Sequence, residues 1–316
     1  MLNRKFLPLY VTCSLFALLF LVGSVQFENF GTLRVFMNLF TDNAFLIIAA
    51  VGMTFVILSG GIDLSVGATI ALTGVVISVL LKAGWHPLPA FVLVLALGTL
   101  FGAAMGAIIH YYKLQPFIVT LAGMFFARGL SSVISEESVP IMHELYDTVA
   151  MFGFELPGGA WLGSSTMIAL AVVVLAIVLA NFTRFGGRVY GLGGDAQSAA
   201  LMGVNIARTT VAVYALSSLL AALAGIVFSF YTFSGYSLAA VGVELDAIAA
   251  VVIGGTLLTG GYGYVLGTLF GVLIMGVVQT YISFDGALSS WWTKIVIGLL
   301  LFVFIALQRF LVRGRR

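Results

Sequence analysis

The amino-acid sequence predicts an all-α polytopic membrane protein with about ten transmembrane helices and both termini in the cytoplasm. Three observations support this fold class. Hydrophobic residues make up 61% of the 316 residues and charged residues only 8%, whereas soluble domains carry about a quarter charged residues. The mean hydropathy is +1.17, and long apolar runs fill most of the chain. Basic residues cluster in alternate segments between these runs.

The apolar runs follow one another through short connections, so we expect a single transmembrane domain over residues 1–316. A helix needs about 20 apolar residues to cross the hydrocarbon core. The predicted spans lie near residues 6–27, 42–59, 62–82, 89–111, 114–134, 163–183, 208–232, 245–259, 263–283 and 292–310. In this scheme residues 26–41 form a short outside segment.

The basic residues predict how the spans are oriented, because short cytoplasmic segments carry an excess of Lys and Arg. With the N-terminus inside, most of the basic residues fall on cytoplasmic segments. These are Arg4, Lys5, Lys113, Arg184, Arg188, Arg208, Arg309, Arg313, Arg315 and Arg316. Arg34 and Lys82 fall outside, and Lys294 lies at the outer edge of the last span. Arg128 lies within the fifth span, where it either extends to the interface or pairs inside the bundle.

The stretch 59–67 interrupts the apolar sequence between the second and third spans. Non-helical backbone persists in hydrocarbon only where protein or a water-filled cavity satisfies its polar groups, so this break indicates a transport path. We expect it to act in translocation and gating. The residues concerned are Ser59, Gly60, Gly61, Asp63 and Ser65. Asp63 and Ser65 also stand where the N-cap of the next helix belongs, and for Asp63 a capping role and a gating role are compatible.

A second glycine-rich stretch, 259–267, resembles the first at an offset of 200 residues. Gly260 and Gly261 correspond to the first glycine pair, and we assign them to the same translocation role. Duplicated halves are common in transporters. The predicted span count places both stretches on the same side of the membrane, and coincidence among 37 glycines remains the alternative.

The predicted cytoplasmic segment 184–208 is rich in glycine and flanked by arginines. Part of it resembles a dinucleotide-binding fingerprint, but no strand precedes it, so we reject that interpretation. We expect a short surface helix over 195–202, accessible to a cytoplasmic protein. The candidate coupling residues are Arg188, Gly191, Gly194, Asp195 and Gly203.

The sizeable hydrophilic segment, 135–161, lies outside in this scheme. It is acidic, and it is either a solvated loop or a docking surface for an external partner. The candidate docking residues are Glu136, Glu137, Glu144 and Asp147.

The sequence lacks the residues that several classes of protein need for their function. The three histidines are far apart in the sequence and form no metal-binding motif, and no phosphate-binding loop of the G-x-x-x-x-G-K-[ST] type occurs. We therefore expect no catalytic residue, metal or cofactor, and any ATP hydrolysis must come from another chain. The basic residues are too few for a nucleic-acid surface.

A neutral solute needs hydrogen-bonding side chains and aromatic faces along its path. Besides Ser59 and Ser65, the candidate path-lining residues are Asn43, Gln115, Phe117 and Tyr231. For any one of them, a packing or interfacial role is the alternative.

Four ordered motifs resemble the permeases of bacterial ABC importers for monosaccharides such as ribose, xylose and arabinose. They lie at 59–67, at 187–195 with 199–203, at 244–249 and at 252–256. The resemblance implies a multi-pass protein of the bacterial inner membrane. It also implies three protein partners: a cytoplasmic ATPase whose groove receives the 184–205 segment, a periplasmic sugar-binding protein, and a second permease subunit. At Asp195 the family more often has Asn.

Four further segments resemble the permease of galactofuranose importers, in which the second permease is a related chain. These segments are 43–46, 135–138, 146–147 and 289–294. The resemblance therefore implies a heterodimer that moves sugar by alternating access. The alternative is an ion-coupled secondary transporter of a small solute, with Asp63 or Asp246 carrying a proton or cation.

Overall fold

The computed structural model of this chain describes residues 6–289 and 291–313. Arg4, Lys5, Arg315 and Arg316, which contribute to the predicted orientation, lie outside these ranges, as does Ser290. The helices are α1 (Leu7–Gln26), α2 (Leu33–Asp42), α3 (Ala44–Leu58), α4 (Val66–Lys82), α5 (Pro87–Tyr111), α6 (Pro116–Ile134), α7 (Glu144–Met151), α8 (Ser164–Phe182), α9 (Arg184–Gly194), α10 (Ala196–Leu201), α11 (Ile206–Thr232), α12 (Val243–Ile253), α13 (Val265–Asp285) and α14 (Trp291–Arg313). The strands are β1 (Val139–Pro140), β2 (Gly153–Leu156), β3 (Ala160–Gly163) and β4 (Ser234–Gly235).

The mostly helical, multi-span character of the fold is confirmed, but the expected number of spans is not. In the described part of the chain, six helices are long and apolar enough to cross a membrane: α1, α5, α6, α8, α11 and α13. The α2–α3 pair would make seven as a span bent by 57°. α4 and the Trp291–Ala306 part of α14 are apolar but shorter. The cytoplasmic location of both termini stays a prediction, because the helices alone do not show which side of the membrane each end faces.

Glycines account for part of the difference in span number. Each predicted span contains a helix, but α3 has 15 residues, α4 has 17 and α12 has 11, fewer than the roughly 20 that cross hydrocarbon alone. Breaks at Gly60–Gly61 and Gly254–Gly255 end α3 and α12 early. The expected span 245–259 is therefore a half-span that ends at Ile253.

The segment expected to be an outside connection, 26–41, contains most of α2. Thr32 caps this helix by accepting a hydrogen bond from the N–H of Val35 at 3.4 Å. The apolar side chain of Leu39 is buried beneath it. The predicted second span begins at residue 42, but helical structure begins nine residues earlier, at Leu33. The capped helix α2 precedes the bend at Asn43.

The helices α3, α11, α12 and α13 form the core of the bundle. Every residue of α3 except Phe45 is buried, as expected of a helix that is apolar on all faces. Thr54 of α3 bonds Thr268 of α13 through hydroxyls 2.7 Å apart. α5 packs closely along α11, where a Cβ on Gly106 would lie 2.8 Å from the Cα of Val211. The small residue Gly106 therefore allows these two helices to pack closely.

The 135–161 segment is more structured than a solvated loop. β1 pairs with β4, which follows α11, and β2 pairs with β3. The hydroxyls of Tyr146 in α7 and Ser229 in α11 are 3.0 Å apart. Burial raises the pKa of Tyr146 to about 12, so this phenol keeps its proton at neutral pH. Backbone pairing and a buried tyrosine thus attach the segment to the bundle.

Candidate functional site

Three glycine pairs from separate parts of the chain meet at one end of the bundle. They are Gly60–Gly61 after α3, Gly193–Gly194 at the end of α9, and Gly260–Gly261 between α12 and α13; we call this contact the glycine junction. A Cβ on Gly260 would lie 2.8 Å from the N of Gly60, and one on Gly261 would lie 2.7 Å from the Cα of Gly194. Side chains at these positions would separate the three backbones.

Hydrogen bonding also joins the two helix breaks directly. The N–H of Gly261 donates to the carbonyl oxygen of Leu58 at 2.9 Å. A Cβ on Gly193 would lie 2.5 Å from that same N and even closer to the Leu58 oxygen. The end of α9 therefore sits against the bond between the two breaks. The sequence indicated both outer pairs and Gly194, but it did not single out Gly193.

The two breaks end their helices in the same way. Gly60 has a φ of +83° and Gly255 a φ of +89°, a left-handed conformation that glycine adopts without steric cost. Beyond them, Gly61 N–H donates to Val56 O at 3.0 Å, and Thr256 N–H donates to Val251 O at 3.2 Å, as in the glycine-terminated ends of many helices. The structural counterpart of Gly60 is therefore Gly255 and not Gly260.

Asp63 lies fully buried between α3 and α4, but it is not the N-cap of α4. Its Oδ1 accepts from the N–H of Ser65 at 3.0 Å and from the Ser65 hydroxyl at 2.6 Å. Its Oδ2 accepts from the Ser217 hydroxyl of α11 at 2.8 Å. Ser65 is the N-cap residue, but its side chain accepts no capping bond; its hydroxyl donates to Asp63. Asp63 thus anchors the break to α11.

Ser59 also has an internal role, since its hydroxyl donates to Val56 O at 2.7 Å. It is the C-cap residue of α3. Of the residues assigned to translocation, the glycines therefore make backbone contacts, whereas Ser59, Asp63 and Ser65 make side-chain hydrogen bonds.

The 184–208 segment folds as two helices. The expected surface helix is present as α10, and Asp195 caps it by accepting from the Ser198 N–H at 2.6 Å. The hydrogen bonds from Ser198 hold the pKa of the Asp195 carboxyl below its ordinary value. The preceding residues form α9, which sequence reasoning missed because glycine disfavours helix interiors. Tyr190 of α9 donates from its hydroxyl to Gly263 O at 2.8 Å, a second contact with the α12–α13 break.

The other coupling candidates lie around these helices. Arg188 is exposed on α9, and Gly191 approaches Ala199 of α10. Gly203 has a φ of +83° and open space around it, so its backbone conformation, and not close packing within this chain, favours glycine there. The side chains of Leu201 and Met202 are 91% and 75% exposed. The segment therefore presents an apolar tip to its surroundings.

The path-lining candidates do not come together. Asn43 is buried at the α2–α3 bend, where its Nδ2 donates to Leu39 O at 2.9 Å. Gln115 and Phe117 are exposed at the start of α6, and Tyr231 is exposed near the end of α11. Arg128, in the second half of α6, bonds the connection that follows α11, so Gln115 and Phe117 lie at the end of α6 that is farther from this connection.

Arg128 pairs with backbone inside the protein. Its Nη1 donates to Ser237 O at 2.7 Å and to Ala239 O at 2.6 Å. These carbonyls belong to residues 236–242, the connection between β4 and α12. The sequence left two alternatives for Arg128, extension to the membrane interface and pairing inside the bundle. The structure shows pairing inside the bundle.

The acidic docking candidates are all exposed. Glu144 and Asp147 lie on α7 and line an open cleft of about 530 Å³ with Ile141, Met142 and His143. Glu136 and Glu137 lie on the turn before β1. Asp246, the other carboxylate of the secondary-transporter alternative, pairs with Lys294 of α14 at 2.7 Å.

This chain has apolar spanning helices, two broken helices and a surface segment that contacts both breaks. Such an arrangement is typical of membrane permeases. Residues 35–305 match the family described as the branched-chain amino acid transport system / permease component, and this chain belongs to that family. The match covers most of the chain, so it includes the glycine junction.

Curated relatives extend over nearly the whole chain. The inner membrane ABC transporter permease protein YjfF of Escherichia coli K12 is 60% identical over 307 residues, covering 97% of this chain and 93% of the relative. The fructose import permease protein FruG of Bifidobacterium longum is 40% identical, covering 98% and 92%. The ribose import permease protein RbsC of E. coli K12 is 39% identical, covering 90% and 88%.

These findings confirm the resemblance to ABC-importer permeases. The chain is a non-catalytic permease component and a protein of the bacterial inner membrane.

Proposed function

We propose that this chain is a transmembrane subunit of an ATP-driven, binding-protein-dependent sugar importer, and that its substrate is galactofuranose. The curated relatives named for fructose and ribose import support a sugar substrate. The segments 43–46, 135–138, 146–147 and 289–294 support galactofuranose among the sugars, through their resemblance to permeases of that importer.

The observation that carries the coupling part of the proposal is the seat of α9 on both helix breaks. A cytoplasmic ATPase grips α10 and the exposed Leu201–Met202 tip. When the ATPase pair closes on ATP, α9 moves with α10. Because Gly193 lies against both Leu58 and Gly261, this movement displaces both breaks together. The helices around them then open the path towards one side and close it towards the other.

The outer side requires two further contacts. The cleft beside Glu144 and Asp147, with Glu136 and Glu137 nearby, receives the periplasmic sugar-binding protein. A second, related permease subunit completes the path as a heterodimer. Charged rim contacts of this kind act mainly on association rates and are weakened by salt.

The experiment that tests the function is uptake of labelled galactofuranose into proteoliposomes that hold this chain, the neighbouring permease and the ATPase. The binding protein is outside and ATP inside, and labelled ribose and fructose are compared in parallel. We expect uptake that requires ATP and the binding protein and that survives proton and sodium ionophores.

Two other outcomes would contradict this proposal. Preference for ribose or fructose would overturn the choice of galactofuranose while keeping the importer. Uptake that needs no ATPase and collapses with ionophores would establish the secondary transporter instead. Proteoliposomes without this chain are the control for leakage.

A further inference from the structure

A buried carboxylate, Glu244, lies where the start of α12 meets the start of α4. The residue is only 9% exposed. A Cβ on Gly67, the second residue of α4, would lie 2.5 Å from Ala240 O and closer still to Glu244 Oε2. Only a glycine at position 67 therefore allows the carboxylate this close to the first turn of α4.

The two oxygens of Glu244 differ in their surroundings. Oε1 accepts from the N–H of Gly242 at 3.2 Å. Oε2 is buried and has no hydrogen-bond partner among the described residues. A buried acceptor of this kind costs free energy until a donor reaches it, so the site favours a ligand that donates a hydrogen bond.

Positive potential surrounds this free acceptor. The first N–H groups of a helix lack intrahelical acceptors and carry partial positive charge, and the Ser65 side chain does not cap α4. The guanidinium of Arg128 lies near enough to interact electrostatically with Glu244, while its Nη1 is held by Ser237 O and Ala239 O. Arg128 and Glu244 do not form an ion pair, since the ion pair in the described part of the chain joins Lys294 to Asp246.

The site lies deep in the bundle. Gly235 packs against Gly74 of α4, and Ala240 against Gly67, so residues 235–240 descend along α4 by about 10 Å at 1.5 Å per residue. This backbone is not helical. Such backbone is tolerated at membrane depth where it is buried in protein or lines an aqueous cavity. Val241 and Leu245, on either side of the carboxylate in sequence, are 67% and 60% exposed, so the carboxylate lies in a segment whose neighbouring residues reach the surface of the bundle.

These groups select a ligand class. The negative charge of Glu244 and the positive charges of Arg128 and the α4 N-terminus offset one another, so the site gives a net preference to neither anions nor cations. A neutral hydroxyl donates to a carboxylate and accepts from an N–H group at the same time. The N-termini of broken helices commonly point at substrate near the middle of the membrane.

We propose that Glu244 Oε2 accepts a hydrogen bond from a hydroxyl of the transported sugar beside the first turn of α4, with Arg128 holding the 236–242 connection in place. This inference rests on the proposed function and names the sugar-contacting residue within it.

The test measures uptake of galactofuranose, or of whichever sugar in the panel the wild type imports best, together with its monodeoxy analogues. Glu244→Gln is expected to lower uptake of the parent sugar about ten- to a hundredfold, the effect of losing a hydrogen bond to a charged group. One analogue that the wild type rejects should be imported by Glu244→Gln nearly as well as the parent sugar. A purely structural role for Glu244 would not change this ranking of analogues.

Asp246→Asn is the matched control, since it removes a carboxylate from the same helix and is expected to retain the wild-type ranking. Gly67→Ala should repeat the effect of Glu244→Gln by displacing the carboxylate, whereas Gly74→Ala, with its nearest neighbour at 3.7 Å, should not. An unchanged ranking in Glu244→Gln and Gly67→Ala would overturn the inference. Failure of the wild type to import any sugar would instead refute the proposed function.

Discussion

At the scale of single residues, Asp63 is a connection between two parts of the bundle. All three hydrogen bonds to its carboxylate come from the protein's own Ser65 and Ser217. Asp63→Ala would leave these buried donors unpaired, and we expect the free energy of unfolding to fall by about 3 kcal/mol. Asp63→Asn keeps an acceptor for Ser65 and should cost about 1 kcal/mol. Denaturant unfolding of the purified variants measures both changes.

The same pair of variants separates anchoring from ion transport. Because the three bonds to Asp63 all come from donors of the protein itself, its proposed role is anchoring, and Asp63→Asn should retain ATP-driven uptake. Loss of uptake in a stably folded Asp63→Asn protein would contradict the anchoring role. Asp147→Asn, an exposed carboxylate outside the bundle core, is the control for stability.

At the scale of elements, the proposed transmission of movement through α9 requires that its end stay in contact with both breaks. Gly193→Ala would place a methyl group 2.5 Å from Gly261 N, so we expect α9 to be pushed off the junction. Uptake should fall at least tenfold while the ATPase continues to hydrolyse ATP, an uncoupling that parallel uptake and phosphate-release assays measure.

Gly187→Ala is the control on the same helix, because a Cβ there meets nothing within 4 Å and the change also raises helix propensity. It should leave uptake and hydrolysis in their wild-type ratio. Full coupling in Gly193→Ala would show that the junction can move apart without loss of transmission.

At the scale of the whole molecule, the predicted orientation can be measured with single cysteines. In a Cys13→Ser background, we expect Glu137→Cys to react with a membrane-impermeant maleimide in intact cells, because the 135–161 segment should be periplasmic. Gly187→Cys should react only after the membrane is opened. The reverse pattern would overturn the predicted topology, and Cys13→Ser alone measures background labelling.

Sequence reasoning reached the fold class and both outer glycine pairs because composition and interrupted apolar runs are local signals. It did not reach the partners of those residues. Asp63 resembles an N-cap in the sequence, but its second oxygen bonds Ser217, 154 residues away. The glycines of α9 disfavour helix by propensity, so their use as a close-packed helix end became apparent only from the neighbouring backbones.

The lengths of the half-helices were also beyond sequence reasoning. The apolar character of residues 245–259 continues past Gly254–Gly255, so hydropathy alone does not mark the end of α12 at Ile253. Glu244 was noticed only as part of a motif. Its significance depends on the approach of α4, which brings Gly67 to a residue 177 positions later in the chain.

The glycine junction is built from main-chain atoms. Apart from the side chains of Val56 and Tyr214, which lie beside Gly61, its contacts join main-chain atoms, and the described residues place no ion pair in it. The force that passes through it therefore arises from steric contact and one amide hydrogen bond. Such a linkage is insensitive to ionic strength and to pH near neutrality. We therefore expect two kinds of communication to differ: docking at the acidic outer surface should respond to the salt content of the medium, whereas transmission between energy source and path should not.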